Sequence, residues 1–204
     1  MFRFFAFLRA INVGGGRTVK MQSLRRVFES LGFSKVETFI ASGNVIFERM
    51  TQKTKTLESK IEKALQETLG YEVRTFVRTE AEIAKIANYR PFRQSKFNDR
   101  WHVNIIFLAR SLNQKLKQSV KALQTDTDVF EVHGQEIYWL RRRKQSGGGF
   151  STVPLERVLG RAFTVRAANT IKEIAAKYCS TFVEDLGSCA QRGLTPMRGV
   201  KGKF

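Results

Sequence analysis

The feature that most narrows what this chain can fold into is a strand–helix junction that occurs twice. Val77-Arg78 followed by Ile83, Ile86 and Ala87 recurs as Val165-Arg166 followed by Ile171, Ile174 and Ala175, at identical spacing. Self-similarity at a fixed separation is the mark of a repeated supersecondary unit. A common junction reached twice by convergence would leave the same trace, so the flanking sequence has to support the repeat.

It does. Phe2 to Ala10 is rich in β-forming aromatics and ends in the loop Asn12-Val13-Gly14-Gly15-Gly16. From Lys20 to Leu31 the apolar residues Met21, Leu24, Val27, Phe28 and Leu31 recur at helical spacing, and Gly32 supplies the stop. Val36 to Ile40 and Asn44 to Phe47 read as a hairpin around Ala41-Ser42-Gly43. Leu57, Ile61, Ala64, Leu65 and Leu69 mark a second helix closed by Gly70, and Val73 to Arg78 a fourth strand. Thr79 with Glu82 then opens a short helix as a capping box. The second half repeats the order: strand Trp101–Ala109, helix Leu112–Leu123, hairpin Val129–His133 and Glu136–Arg141, a helix around Leu155, strand Phe163–Ala167 and helix Ile171–Tyr178.

The expected fold class is therefore α+β, with two tandem ferredoxin-like (βαββαβ) units, each an antiparallel sheet with helices on one face. The first unit with its trailing helix is placed at 1–90, a linker at 91–100, the second unit with its closing helix at 101–180, and a flexible basic tail at 181–204.

The opening Ala6-Phe7-Leu8-Arg9-Ala10-Ile11-Asn12-Val13-Gly14-Gly15, with Met21, Leu24, Leu31-Gly32-Phe33 and Ser42-Gly43-Asn44-Val45, resembles a bacterial family of uncharacterised proteins, the domain of unknown function 1697. Thr164 to Thr170 is similar to a later segment of that family. The chain departs from the pattern at Ala10, where the family usually has glycine, and at Ala167-Ala168, which replace an Asn-Trp pair. The resemblance implies tandem ferredoxin-like domains and brings no activity, substrate or cofactor with it.

Charge narrows the partners. The chain has 36 Lys+Arg against 18 Asp+Glu, a net +18, which concentrates phosphate-bearing molecules around it. Solubility alone would also account for such an excess. Cys179 and Cys189 have no CxxC spacing and read as reduced thiols of a cytoplasmic protein. No apolar run reaches the roughly 18–20 residues of a membrane span, and Met1 to Leu8 reads as a first strand rather than a signal peptide.

Three places could carry function. A right-handed crossover puts the loop after the first strand beside the tip of the first hairpin. Arg9, Asn12, Gly14, Gly15, Gly16 and Lys20 then meet Ser42 and Asn44 at an edge suited to a small phosphorylated ligand. The loop is neither GxGxxG nor a P-loop, and Asn12 and Asn44 equally suit turns that bond their own backbone. Strand alternation gathers Arg3, Phe5, Phe7, Arg74, Phe76 and Arg78 on one sheet face, a pattern that fits single-stranded nucleic acid or, equally, a face packed on the second unit or on a dimer partner. Arg141-Arg142-Arg143-Lys144 is the densest basic run and a candidate polyanion contact. His102 and His133 stand apart without metal-ligand spacing, and no catalytic motif occurs. The expectation is a noncatalytic binder of nucleic acid or another polyanion, with no cofactor or metal. A small-ligand site and a homodimeric scaffold are the alternatives.

Overall fold

The computed structural model describes residues 1–12, 18–50, 53–92, 101–142, 151–160 and 162–180. Its elements run β1 (Phe2–Leu8), α1 (Met21–Ser30), β2 (Ser34–Phe39), β3 (Asn44–Arg49), α2 (Thr54–Leu69), β4 (Thr75–Thr79) and α3 (Glu80–Asn88). They continue with β5 (Trp101–Leu108), α4 (Gln114–Lys121), β6 (Asp128–His133), β7 (Glu136–Arg142), α5 (Val153–Leu159), β8 (Phe163–Ala167) and α6 (Ala168–Tyr178). The strands form two four-stranded antiparallel sheets, ordered β2-β3-β1-β4 and β6-β7-β5-β8. The chain is thus a mixed α/β protein of two tandem units on one plan. The Thr79–Glu82 capping box is present at the start of α3. Among the described residues no helix is long and apolar enough to cross a membrane.

Alternation along β1 explains the layering. Phe4, Ala6 and Leu8 point to one side and pack with Leu24 and Phe28 of α1 and Leu57, Ile61 and Leu65 of α2. Phe5 and Phe7 point to the other side and join Ile105, Phe107 and Tyr138 of the second sheet, with isoleucines of α3 and α6 between. A third cluster sets Ile106, Leu108 and Trp139 against Val120 of α4 and Leu155 of α5. The order of layers is helices, sheet, a middle layer shared by both units, sheet, helices. Helices therefore cover both faces of the molecule's sheets: α1 and α2 or α4 and α5 lie outside, while α3 and α6 pack against each other inside. This corrects the expectation of helices on one face of each sheet. The junction helices are apolar on more than one side, with Ile83, Ala84, Ile86 and Ala87 all buried in α3. Each large apolar side chain removed from water contributes about 1.5–3 kcal/mol before entropy is counted.

Two local features set the first unit's edges. Strand β4 is an edge strand, and its outward amides would otherwise face solvent. Glu62 Oε1 accepts the Thr75 N–H and Glu58 Oε1 the Val77 N–H, each at 2.9 Å, so one face of α2 blunts that edge. At the other end of β1, Ala10 has φ 55 and Asn12 φ 56. Asn12 tolerates this conformation and uses it: its Oδ1 accepts the Val19 N–H, and its Nδ2 donates to the carbonyls of Val19 and Ala41. Alanine gains nothing there. Ala10→Gly should therefore raise the melting temperature, by a net few tenths to about 1 kcal/mol after the entropy of the added glycine is subtracted. An unchanged or lower melting temperature would mean that Ala10 carries no strain.

Candidate functional site

The two repeated arginines close the middle layer by exchange. Arg78 leaves β4 and reaches into the second unit, where Nε donates to Glu136 Oε1 at 2.7 Å and Nη2 to the Leu108 carbonyl at 2.8 Å. Arg166 leaves β8 and reaches into the first unit, where Nε donates to Asn44 Oδ1 and Nη2 to the carbonyls of Leu8 and Ser42 at 2.8 and 3.0 Å. Each guanidinium also returns a bond to the carbonyl of the preceding valine, Val77 or Val165. Between them Phe7 and Phe107 stack at 4.2 Å, with Arg166 over the ring of Phe7 and Arg78 over that of Phe107. The site is a pseudo-twofold junction in which each unit's arginine seats on the other unit's strand end and hairpin turn.

One difference breaks the symmetry. Asn44 heads β3 and Glu136 heads β7, so Arg78 has a carboxylate while Arg166, among the described residues, has neutral acceptors. Burial alone pulls the Arg166 pKa down to about 10, which still leaves it charged at neutral pH. Burial also pushes the Glu136 carboxyl above its ordinary value, and the charge of Arg78 offsets this only in part. Isolating either ion in an apolar interior costs several kcal/mol, so the dense set of acceptors is what makes the arrangement tenable.

This geometry decides where the sequence-predicted residues lie. Phe5, Phe7, Phe76 and Arg78 are at most 2% exposed. The Phe/Arg sheet face is therefore the contact between the two units, closed to nucleic acid and to a second copy. Buried Phe beside a strand arginine looks the same in sequence whether the partner is a base or a phenylalanine. Arg3, half-buried, donates to the Tyr178 carbonyl and to Glu48 Oε1, and it stitches α6 to the first sheet. Arg74 lies ahead of β4, exposed, paired with Glu62 and Glu72.

The expected ligand edge is likewise occupied from within. Asn44 is 1% exposed, with Oδ1 on Arg166 and Nδ2 donating to the Phe39 carbonyl and to Ser42 Oγ. Arg9 donates to Glu156 Oε1 at 2.9 Å and to the Phe163 carbonyl at 2.7 Å, so it too bridges the units. Lys20 is exposed at the start of α1, while Gly14, Gly15 and Gly16 lie outside the described residues. The fold does bring Arg9, Asn12, Ser42 and Asn44 to one edge; the group that Asn44 and the Ser42 carbonyl meet is an arginine of the same chain. At the far end of β7, Arg141 lies 3.8 Å from Asp128 and over the Trp139 ring. Arg142 is exposed, and Arg143 and Lys144 lie outside the described residues. Cys179 is buried, its thiol pushed up to about 11 by burial; Cys189 is not among the described residues. Among the described residues no group of three or more metal-ligating side chains converges.

A groove of about 800 Å³ opens beside the Arg78 half of the junction, between α3 and the β6–β7 turn. Glu82, Lys85, Tyr89, His133, Glu136 and Tyr138 line it. Tyr89 stacks on His133 at 4.3 Å and leans on Tyr138, whose hydroxyl donates to the Ile86 carbonyl. Burial raises the Tyr138 phenol far above its usual value. Apart from Glu82, which closes the Thr79 capping box, periodicity and spacing do not single these residues out, because none forms a local motif. The signal lies in the repeat: Gly134-Gln135-Glu136 leads into β7 as Ser42-Gly43-Asn44 leads into β3.

Comparison with known proteins agrees with this architecture. A family model described as a protein of unknown function, DUF1697, matches residues 1–138. The chain is also similar to the solved structure of the conserved bacterial protein SP0830 from Streptococcus pneumoniae, at 22% identity over 86% of this chain and 97% of that one, with a TM-score of 0.68. That likeness concerns the fold. No curated protein matches the sequence.

Proposed function

Since the chain belongs to the DUF1697 family of proteins of unknown function, we propose its function from its own geometry: it is a noncatalytic binder of nucleic acid or another polyanion, acting through the outer face of the second unit. We read each unit as ferredoxin-like, a reading that the β-α-β-β-α-β order and the strand order β2-β3-β1-β4 support. In the same reading the units span 1–90 and 101–180, and the chain works in the cytoplasm.

The observation that carries the proposal is an acid-free stretch. From Trp101 to Thr125 the chain has Arg110, Lys115, Lys117 and Lys121 and no Asp or Glu. Helix α4 turns Val120 inward and leaves its three lysines exposed. None of the three makes an ion pair among the described residues. Several acids are tied to the scaffold, Glu48 and Glu80 to Arg3, Glu136 to Arg78 and Glu156 to Arg9, and their charge cancels arginines at the junction. The first acid after α4 is Asp126, exposed in the turn to β6, so the basic surface is densest on the helix itself. The carboxyl end of α4 leads through a short turn to β6, and the Thr127 carbonyl in that turn accepts the Arg142 N–H. Lys121 and Arg142 thus extend the surface to the end away from the junction.

Lysines on a helix meet phosphates as point charges and read no bases. Single strands and duplexes should therefore bind alike, in a salt-dependent manner. The test is fluorescence anisotropy with labelled single-stranded RNA, single-stranded DNA and a duplex across a salt series. Lys115→Glu/Lys117→Glu/Lys121→Glu should weaken binding by at least about tenfold and lower the salt slope by roughly one unit for each phosphate no longer neutralised. Unchanged affinity and slope in the triple variant would remove α4 as the surface.

A further inference from the structure

The groove between α3 and the β6–β7 turn has a composition that phosphate attraction alone does not use. An exposed imidazole is already stacked on Tyr89 at 4.3 Å, with an interplanar angle of 20°, so its outer face can take another planar ring. Two carboxylates share the same walls. Glu82 places Oε2 on the Thr79 N–H and hydroxyl. Glu136 has Oε1 on Arg78, while Oε2 lies on the Gly134 side of the groove. Lys85 is exposed and makes no ion pair among the described residues. Stacking surface, acceptors and one cation converge in a space within the ~300–1,000 Å³ common for small-ligand sites.

We infer that this groove binds a guanine mononucleotide, with the base stacked on His133, its N–H edge turned to Glu136 and Glu82, and its phosphate at Lys85. Each part of the ligand follows from a part of the site. An aromatic shelf selects a flat ring. Carboxylates accept only, so they select an edge with adjacent donors. Guanine offers two, N1–H and the 2-amino group, whereas adenine sets an acceptor beside its amine and a carboxylate repels it. An organic cation would satisfy the acids equally but would meet Lys85, Arg78 and a chain of net charge +18. The phosphate resolves that conflict. Arg78 holds Oε1 of Glu136 and the Gln135 N–H also bonds this carboxylate, so the base meets Glu136 at the Oε2 side, near Gly134.

Isothermal titration calorimetry on the full chain tests this, with GMP as the probe and AMP and inorganic phosphate as controls. Potassium chloride at about 0.3 M keeps general attraction to the basic surface small. GMP should bind with a micromolar Kd, AMP at least about tenfold more weakly, and phosphate without measurable heat. His133→Ala and Lys85→Ala alter exposed side chains and should each weaken GMP about tenfold or more, while Lys63→Ala on the outside of α2 leaves it unchanged. Absence of heat with GMP up to about 1 mM, equal affinity for GMP and AMP, or full affinity in both groove variants would overturn the assignment. The α4 triple variant reports on the polyanion surface separately, so failure of one reading is distinguishable from failure of the other.

Discussion

Arg78→Met should lower the stability of the whole chain by about 3–5 kcal/mol, the usual cost of stripping a buried carboxylate of its partner. Glu136 would remain in the middle layer with its charge uncompensated, and the Leu108 carbonyl would lose a donor. The pH dependence identifies the cause. Burial already raises the folded-state pKa of Glu136 above its ordinary 4.5, and removing Arg78 raises it further. A carboxyl whose folded pKa is raised keeps its stability below the unfolded value and loses it as pH rises through the folded value. The melting-temperature gap between Arg78→Met and wild type should therefore be wide at neutral pH and narrow on acidification toward about pH 5. Adding Glu136→Gln should recover most of the loss at neutral pH. Arg166→Met makes the contrasting case, because Asn44 and the carbonyls it leaves are neutral. Its loss should be smaller and nearly flat over the same pH range. If Glu136→Gln gives no rescue, the cost of losing Arg78 lies in packing and in its bonds to carbonyls instead.

Phe7→Ala is expected to cost a further about 3–5 kcal/mol, the range for a fully buried phenylalanine. The ring stacks on Phe107, lies beneath Arg166 and stands at the meeting point of the two units. The cavity would open where two sheets and two helices converge, and none of these can close in without shifting the others. Phe107→Ala should cost about as much, and the double variant less than the sum, with a coupling of about 0.5–1.5 kcal/mol for the stacked pair. Urea denaturation of the full chain measures all three. Were Phe7 a base-stacking residue on an open surface, its removal would barely move the midpoint. That result would sink the closed junction.

Sequence and structure agree where the signal is local. Element order is legible because strands and helices here announce themselves by periodicity, by Gly32 and Gly70 and by the Thr79–Glu82 box. The meeting of the β1 end with the Ser42–Asn44 turn is legible too, since chain handedness dictates it. What fills that meeting is not. Arg166 arrives from 122 residues away, and no local pattern encodes a long-range partner. The alternation of Phe and Arg in β1 and β4 reads equally as a nucleic-acid surface or as a face packed on the second unit or a dimer partner, because arginine is seldom buried and buried Phe with Arg at the rim leaves the same pattern. Here the strand arginine is buried by another unit's carbonyls. The repeat that points to two units holds this information: Arg78 and Arg166 occupy the same place, so what receives one must have a counterpart receiving the other.

The exchange also has an evolutionary consequence. A substitution at Arg78 is felt in the half that contains Glu136, and one at Arg166 in the half that contains Asn44. Neither half can drift alone. The recipient positions differ, Asn44 in one half and Glu136 in the other, while both donors are arginine, so in this chain the sockets differ and the plugs do not. Lineages carrying this chain should therefore show paired change across the two halves, with Asn44 varying in step with the second unit and Glu136 with the first.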